Sequence, residues 1–133
     1  MAKYNNHKVS NSFGSFDSRK EFQRYAFLLS KQSEGAIHGL RRQVKFVLIP
    51  TQYRTETVQL KTKSKTRQVV AERECAYFAD FVYFRGAEQI VEDIKGVGGG
   101  FSTATKDFVI KRKLMLYKYD ISVRVVSKAT DWQ

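Results

Sequence analysis

A chain of 133 residues with 42% hydrophobic and 14% aromatic residues is long enough to bury one core and too apolar for a disordered polypeptide. Its 24 Lys and Arg against 13 Asp and Glu give a formal charge of +11, which suits a polyanion; nucleic acid is preferred to a membrane, because no apolar stretch approaches the roughly 20 residues of a spanning helix. One Cys and two distant His, His7 and His38, exclude an internal disulfide and a closed zinc site. With an N-terminus lacking the apolar centre of a secretory signal, they lead to the expectation of a reduced, cytoplasmic protein.

Residues 1–15 are polar and without apolar period, so a flexible arm is expected before a single domain over 16–128, with 129–133 as a polar tail. A helix start follows, with Asp17 or Ser18 as cap and Ser18 and Glu21 at capping-box spacing. Phe22, Tyr25, Ala26 and Leu29 recur at the helical interval and predict the buried stripe. Glu21 lies at its margin, where it can lean toward a site beneath the helix, and Gly35 is placed to end the helix.

Gln43 to Ile49 predicts the first strand, stopped by Pro50, and Tyr53 to Leu60 also reads as extended. The run Lys61-Thr62-Lys63-Ser64-Lys65-Thr66-Arg67 carries four cations and no acid, and reads as the tip of a long basic hairpin; solvated turn and phosphate contact are both open to it. A long strand is expected from Glu72 to Phe84, then a turn at Arg85-Gly86-Ala87 short enough to make the next strand antiparallel. Gly96, Gly98, Gly99 and Gly100 make a connection without the pattern of a phosphate-binding loop. A second helix is predicted over Ser102 to Tyr119, capped by Thr103 or Thr105, with Phe108, Met115 and Tyr119 on its apolar side and Lys111, Arg112 and Lys113 among its cations; the last strand is Ile121 to Val126.

Acids interrupt two of these strands where apolar residues are expected. Side chains alternate along a strand, so Asp93 and Lys95 share one surface while Glu92 points away with Ile90 and Ile94. Within Ala76 to Phe84 both faces are apolar except at Asp80, which alternation assigns to the face of Phe78 and Val82. A lone acid in such a strand calls for a partner or a function.

Asp80, Asp93-x-Lys95 and Glu21, in this order of elements, resemble the PD-(D/E)xK nuclease superfamily, with the spacing of the two aspartates similar to that of Holliday-junction resolvases. Phe16 to Tyr25, Ala79 to Tyr83, Val91 to Gly96 and Lys111 to Leu114 also resemble a family of small phage and prophage nuclease-like proteins. The sequence departs from the superfamily pattern in having Ala79 where a proline precedes the first acid and Asp93 where a glutamate is usual. The resemblance implies an α/β fold with a restriction-endonuclease-like core, a central mixed β-sheet flanked by helices in the order αβββαβ. It implies a metal-dependent endodeoxyribonuclease acting on branched or structured DNA as a homodimer, in the host cytoplasm if phage-encoded. Asp80, Asp93 and the carbonyl of Ile94 would bind Mg²⁺ or Mn²⁺, Lys95 would position the attacking water, and Glu21 would hold a water of the ion's shell or a second ion. Lys61, Lys63, Lys65 and Arg67 on one side and Lys111, Arg112 and Lys113 on the other would contact phosphates. Glu92 competes with Asp93 on sequence alone but is disfavoured by strand parity, and Gln43 is open to a site role or to that of a strand-edge amide. The alternatives are a non-catalytic DNA-binding phage accessory protein on the same fold, and an RNA-binding module using Tyr77, Tyr83 and Phe84 for stacking.

Overall fold

The computed structural model describes residues 9–11, 14–16, 19–95, 97–98, 101–102 and 105–132. The expectations for residues 1–8, for capping by Asp17 or Ser18, and for Gly96, Gly99, Gly100 and Thr103 lie outside them. Along the chain run β1 (Val9–Asn11), β2 (Gly14–Phe16), α1 (Arg19–Ser33), β3 (His38–Ile49), β4 (Gln52–Gln59), β5 (Ser64–Glu72) and β6 (Cys75–Arg85). Then come β7 (Glu88–Ile94), β8 (Val97–Gly98), β9 (Phe101–Ser102), α2 (Lys106–Tyr119) and β10 (Arg124–Val126).

The fold is α/β. Its central sheet has the order β10-β7-β6-β3, antiparallel except for the parallel pair of β7 and β10, and is therefore mixed. A parallel neighbour requires a crossover, and α2 supplies it between β7 and β10. Leu28 of α1 packs with Ile37, Phe81, Tyr83 and Ile90 on one face; Phe108 and Met115 of α2 pack with Leu48, Tyr77, Ala79 and Val91 on the other. As the sequence leads one to expect, Gly35 ends α1: at φ 82° it lets its own N–H reach the Gln32 carbonyl and that of Ala36 reach Lys31. Thr105 caps α2 by accepting from the Phe108 N–H.

Several boundaries differ from expectation for local reasons. The helix α2 starts at Lys106, after its cap, rather than at Ser102. The expected strand from Glu72 to Phe84 is two strands: Pro50 interrupts the ladder on one side and Arg73-Glu74 on the other, so β4 and β5 form a ribbon separate from the central sheet. The expected stripe of α1 is also displaced. Its buried residues are Glu21, Arg24 and Leu28, and Ala26 is exposed, because the sheet beneath offers polar partners to two charged side chains.

A second irregularity positions the site. On β3, Leu40 packs on the α1 side, whereas Val44, Phe46 and Leu48 pack on the α2 side, although all four positions have the same parity. On β6, Tyr77 and Ala79 face α2 while Phe81 and Tyr83 face α1. Both strands therefore change face together, and the residues at the change are Gln43 and Asp80, which lie between the paired positions Arg42↔Phe81 and Val44↔Ala79. Gln43 has φ 49°, a left-handed value rare for a side-chain-bearing strand residue. Phe78 and Val82 consequently do not share a face: Phe78 is 53% exposed and Val82 is in the core.

Candidate active site

At the change of face, residues from four segments meet. The first turn of α1 buries Glu21 against β3, where the Gln43 amide donates to Glu21 Oε1 at 2.9 Å and to Asp80 Oδ1 at 3.2 Å. Asp80 Oδ2 accepts the Ile94 N–H at 2.9 Å, tying β6 to the end of β7. Just before Ile94, Asp93 is 5% exposed and pairs with the Lys95 ammonium at 3.0 Å. Lys95 also lies 4.4 Å from the Phe108 ring centroid, so α2 limits the arc through which its amine can swing. Backbone pairing fixes this end of the strand, since the Lys95 N–H donates to the Val126 carbonyl at 2.8 Å.

The electrostatics follow from placing carboxylates together out of water. Burial, then the hydrogen bond and charge of Asp93, push the Asp80 carboxyl up to about 9, against the pull of the Ile94 N–H. Burial, reinforced by the charges of Asp93 and Asp80, pushes the Tyr77 hydroxyl above its ordinary range. That hydroxyl is buried near both carboxylates without a well-aligned hydrogen bond. Arg42 lies 3.7 Å from Glu21 and over the Tyr25 ring, adding a cation on the α1 side. The cluster thus favours an added proton or an added cation.

Glu92 stands apart, on the opposite face, as alternation requires. It is 1% exposed and accepts two hydrogen bonds from Arg24, at 2.6 and 2.9 Å, and one from the Tyr83 hydroxyl at 2.7 Å. Arg24 Nη1 also donates to the Ala129 and Asp131 carbonyls, and Lys20 Nζ to that of Ser127, which fastens the end of the chain to α1. Trp132 lies under the Arg85 guanidinium, 4.0 Å from centroid to Cζ, and edge-on to Phe27. Glu92 is thereby committed to packing.

Glu21, Asp80, Asp93, Ile94 and Lys95 are brought together. Lys61, Lys63, Lys65 and Arg67 are not part of this cluster; they project from the ribbon, exposed. Arg112 of α2 lies 6.0 Å from the Phe108 centroid and so on the same ring as Lys95, with Lys111 half-buried and Lys113 exposed beside it. Sequence reasoning undervalued Gln43, whose sole signal was an amide at the start of an apolar strand, considered Tyr77 only for base stacking, and missed Arg42.

Among the described residues, no three His, Cys, Asp or Glu side chains gather closely enough to hold a metal by themselves. The buried Asp93 and the half-buried Asp80 on the neighbouring strand nevertheless fit a hard cation of the kind that keeps much of its water shell and takes few protein ligands.

Fold and cluster define a small α/β protein whose paired acids sit on the two central strands of a mixed sheet. A family model described as "Protein of unknown function (DUF1064)" matches residues 1–133, and the chain belongs to that family. Neither a curated protein nor a solved structure matches it.

Proposed function

We propose that this protein is a metal-dependent endodeoxyribonuclease on a restriction-endonuclease-like core, acting on branched or structured DNA with Mg²⁺ or Mn²⁺. The observation that carries the reading is the convergence of Asp80, midway along β6, with Asp93 and Lys95 at the end of the neighbouring β7, and with Glu21 linked to Asp80 through Gln43. Asp80 and Asp93 would hold the ion, with the Ile94 carbonyl as the resemblance implies. When bound, the ion supplies positive charge to the phosphodiester and acidifies water.

The remaining work falls to side chains. The Lys95 ammonium donates to the attacking water and offsets charge building on the phosphoryl oxygens. Gln43 keeps the Glu21 and Asp80 carboxylates at a fixed separation, and Glu21 orients water on the α1 side. Lys111, Arg112 and Lys113, with the ribbon cations, hold the flanking phosphates. Two copies would serve two strands.

A second reading, a DNA-binding accessory protein without catalysis, is supported by the ion pair of Lys95 with Asp93, which neutralises one of the two carboxylates without a metal. A four-way junction, a linear duplex and single-stranded DNA, each with Mg²⁺ or with EDTA, separate the two. Wild type is expected to cut the junction only with Mg²⁺, and Asp80→Ala or Lys95→Ala to abolish cutting while junction binding in EDTA survives. Metal-dependent cutting that persists in both variants overturns the site; binding without cutting under any condition favours the second reading.

A further inference from the structure

The ribbon of β4 and β5 leaves the central sheet at Pro50 and Arg73-Glu74, and none of its residues from Gln52 to Glu72 is fully buried. Its ladder is regular from Tyr53↔Val70 to Gln59↔Ser64. Residues paired across an antiparallel ladder point to the same side, so the register sorts its side chains into two faces. One face carries Thr55, Gln68, Thr57, Thr66, Gln59 and Ser64, hydroxyls and amides without a charge, with the exposed Tyr53 and Val70 at its base. Hydrogen bonds from Gln68 to Thr55 and from Ser64 to Gln59, both 3.3 Å, lie along it. The other face carries Arg54, Glu56, Arg67 and Lys65 beside Val58 and Val69, with Glu56 paired to both arginines. The turn at the tip, closed by the Leu60 N–H on the Lys63 carbonyl, presents Lys61 and Lys63.

We infer that this ribbon inserts into the major groove of duplex DNA, its neutral Thr/Gln/Ser face reading base edges and its cations seating on the phosphates that border the groove. The inference rests on the reading of DNA as substrate and adds to it a means of choosing where the protein binds. Three properties of the ribbon suit that occupant. The major groove, roughly 12 Å wide, admits a two-stranded ribbon, and β4 is about 27 Å long at ~3.4 Å per residue. Hydroxyls and primary amides offer donors and acceptors together, the equipment that distinguishes base pairs there. Between Gln52 and Glu72 five cations, Arg54, Lys61, Lys63, Lys65 and Arg67, outnumber the acids Glu56 and Glu72, which is the charge complement of a groove walled by phosphates. The base of the ribbon at Cys75 lies about 17 Å along β6 from Asp80, so an inserted ribbon would set the acidic cluster at a fixed offset from the bases it reads.

The test is binding without chemistry: the full chain carrying Asp80→Asn, in EDTA, selected against duplex DNA randomised over a central block and measured by fluorescence anisotropy. A preferred sequence should be enriched, bound about tenfold or more above random duplex. Thr55→Val/Thr57→Val/Thr66→Val removes hydroxyls while keeping the β-branched shape that strands favour, and should abolish the enrichment. The matching Thr→Ser triple keeps the hydroxyls and should retain it. Lys61→Ala/Lys63→Ala/Lys65→Ala/Arg67→Ala should weaken binding to every duplex alike and reduce the slope of log affinity against log salt by up to about 3.6, at about 0.9 per phosphate. Enrichment of no sequence, enrichment equal in the Thr→Val triple, or equal affinity for A-form duplex RNA, whose deep narrow major groove excludes side chains, overturns the inference. None of these outcomes depends on cleavage. A protein that binds as described and cuts nothing contradicts only the nuclease reading, and one that cuts with the ribbon variants unimpaired contradicts only this one.

Discussion

A glutamine at φ 49° inside a strand is held there by its contacts, since the left-handed region costs a side-chain-bearing residue roughly 1–2 kcal/mol. Gln43 spends that strain on an amide aimed at two carboxylates. Gln43→Gly is therefore expected to be more stable than Gln43→Ala by about 1 kcal/mol in urea denaturation, because both lose the bridge and only alanine keeps the strain; equal stability would contradict the account. The carboxylates give a second prediction. With its folded pKa pushed up to about 9, against roughly 3.9 unfolded, Asp80 binds a proton in the folded state that the unfolded chain releases. Its contribution is fully present below about pH 4 and is lost as pH rises through about 9. The melting temperature of the metal-free protein should fall relative to that of Asp80→Asn between about pH 5 and pH 8, and calorimetry showing parallel curves would rule this out. Asp93 and Lys95 were legible in the sequence because alternation is local. Gln43 was legible only as an open candidate, because nothing in a glutamine announces a change of strand face made jointly with a residue far along the chain.

At the scale of elements, α1 is held by charge as much as by oil. Burial alone works to lower the Arg24 pKa, yet the hydrogen bonds and charge of Glu92 outweigh it and hold it above the ordinary value, so the guanidinium stays charged in the core. Glu92→Gln removes the counter-charge and should cost about 3–5 kcal/mol in urea denaturation, whereas Arg24→Met/Glu92→Leu, which removes both charges, should cost less than either single change. A double variant worse than both singles would mean that the carbonyl contacts of Arg24 to Ala129 and Asp131 dominate instead. The apolar period of the helix misleads here for an evident reason: Phe22, Ala26 and Leu29 satisfy the pattern, but the burying surface includes the buried Glu92 of β7, and that acid selects Arg24. The last turn of α1, the turn after β6 and the cap of α2 were readable, since glycine and threonine act through their own backbone.

For the molecule as a whole, core and ribbon are separate in packing. The buried residues belong to the central sheet, the helices and their connections, and none to the ribbon. Replacing Gln52–Glu72 by a tight turn is expected to leave the melting temperature within a few degrees while DNA affinity and its salt dependence both fall. Circular dichroism and salt-titrated binding check the two halves, and a variant that fails to fold would show that the ribbon stabilises the sheet.

The shared change of face at Gln43 and Asp80 has a bearing on how the chain finds its structure. A long hairpin can pair out of step, and a slip of two residues normally leaves every side chain on its proper face, so parity alone offers little resistance to it. Here such a slip would put the two changes of face out of register and drive apolar side chains of β3 and β6 to opposite sides of the sheet over the stretch between them. The polar cluster therefore acts as a pin for strand alignment. Substitutions that relax it should appear as slower or heterogeneous refolding even where the equilibrium stability of the folded protein is little changed.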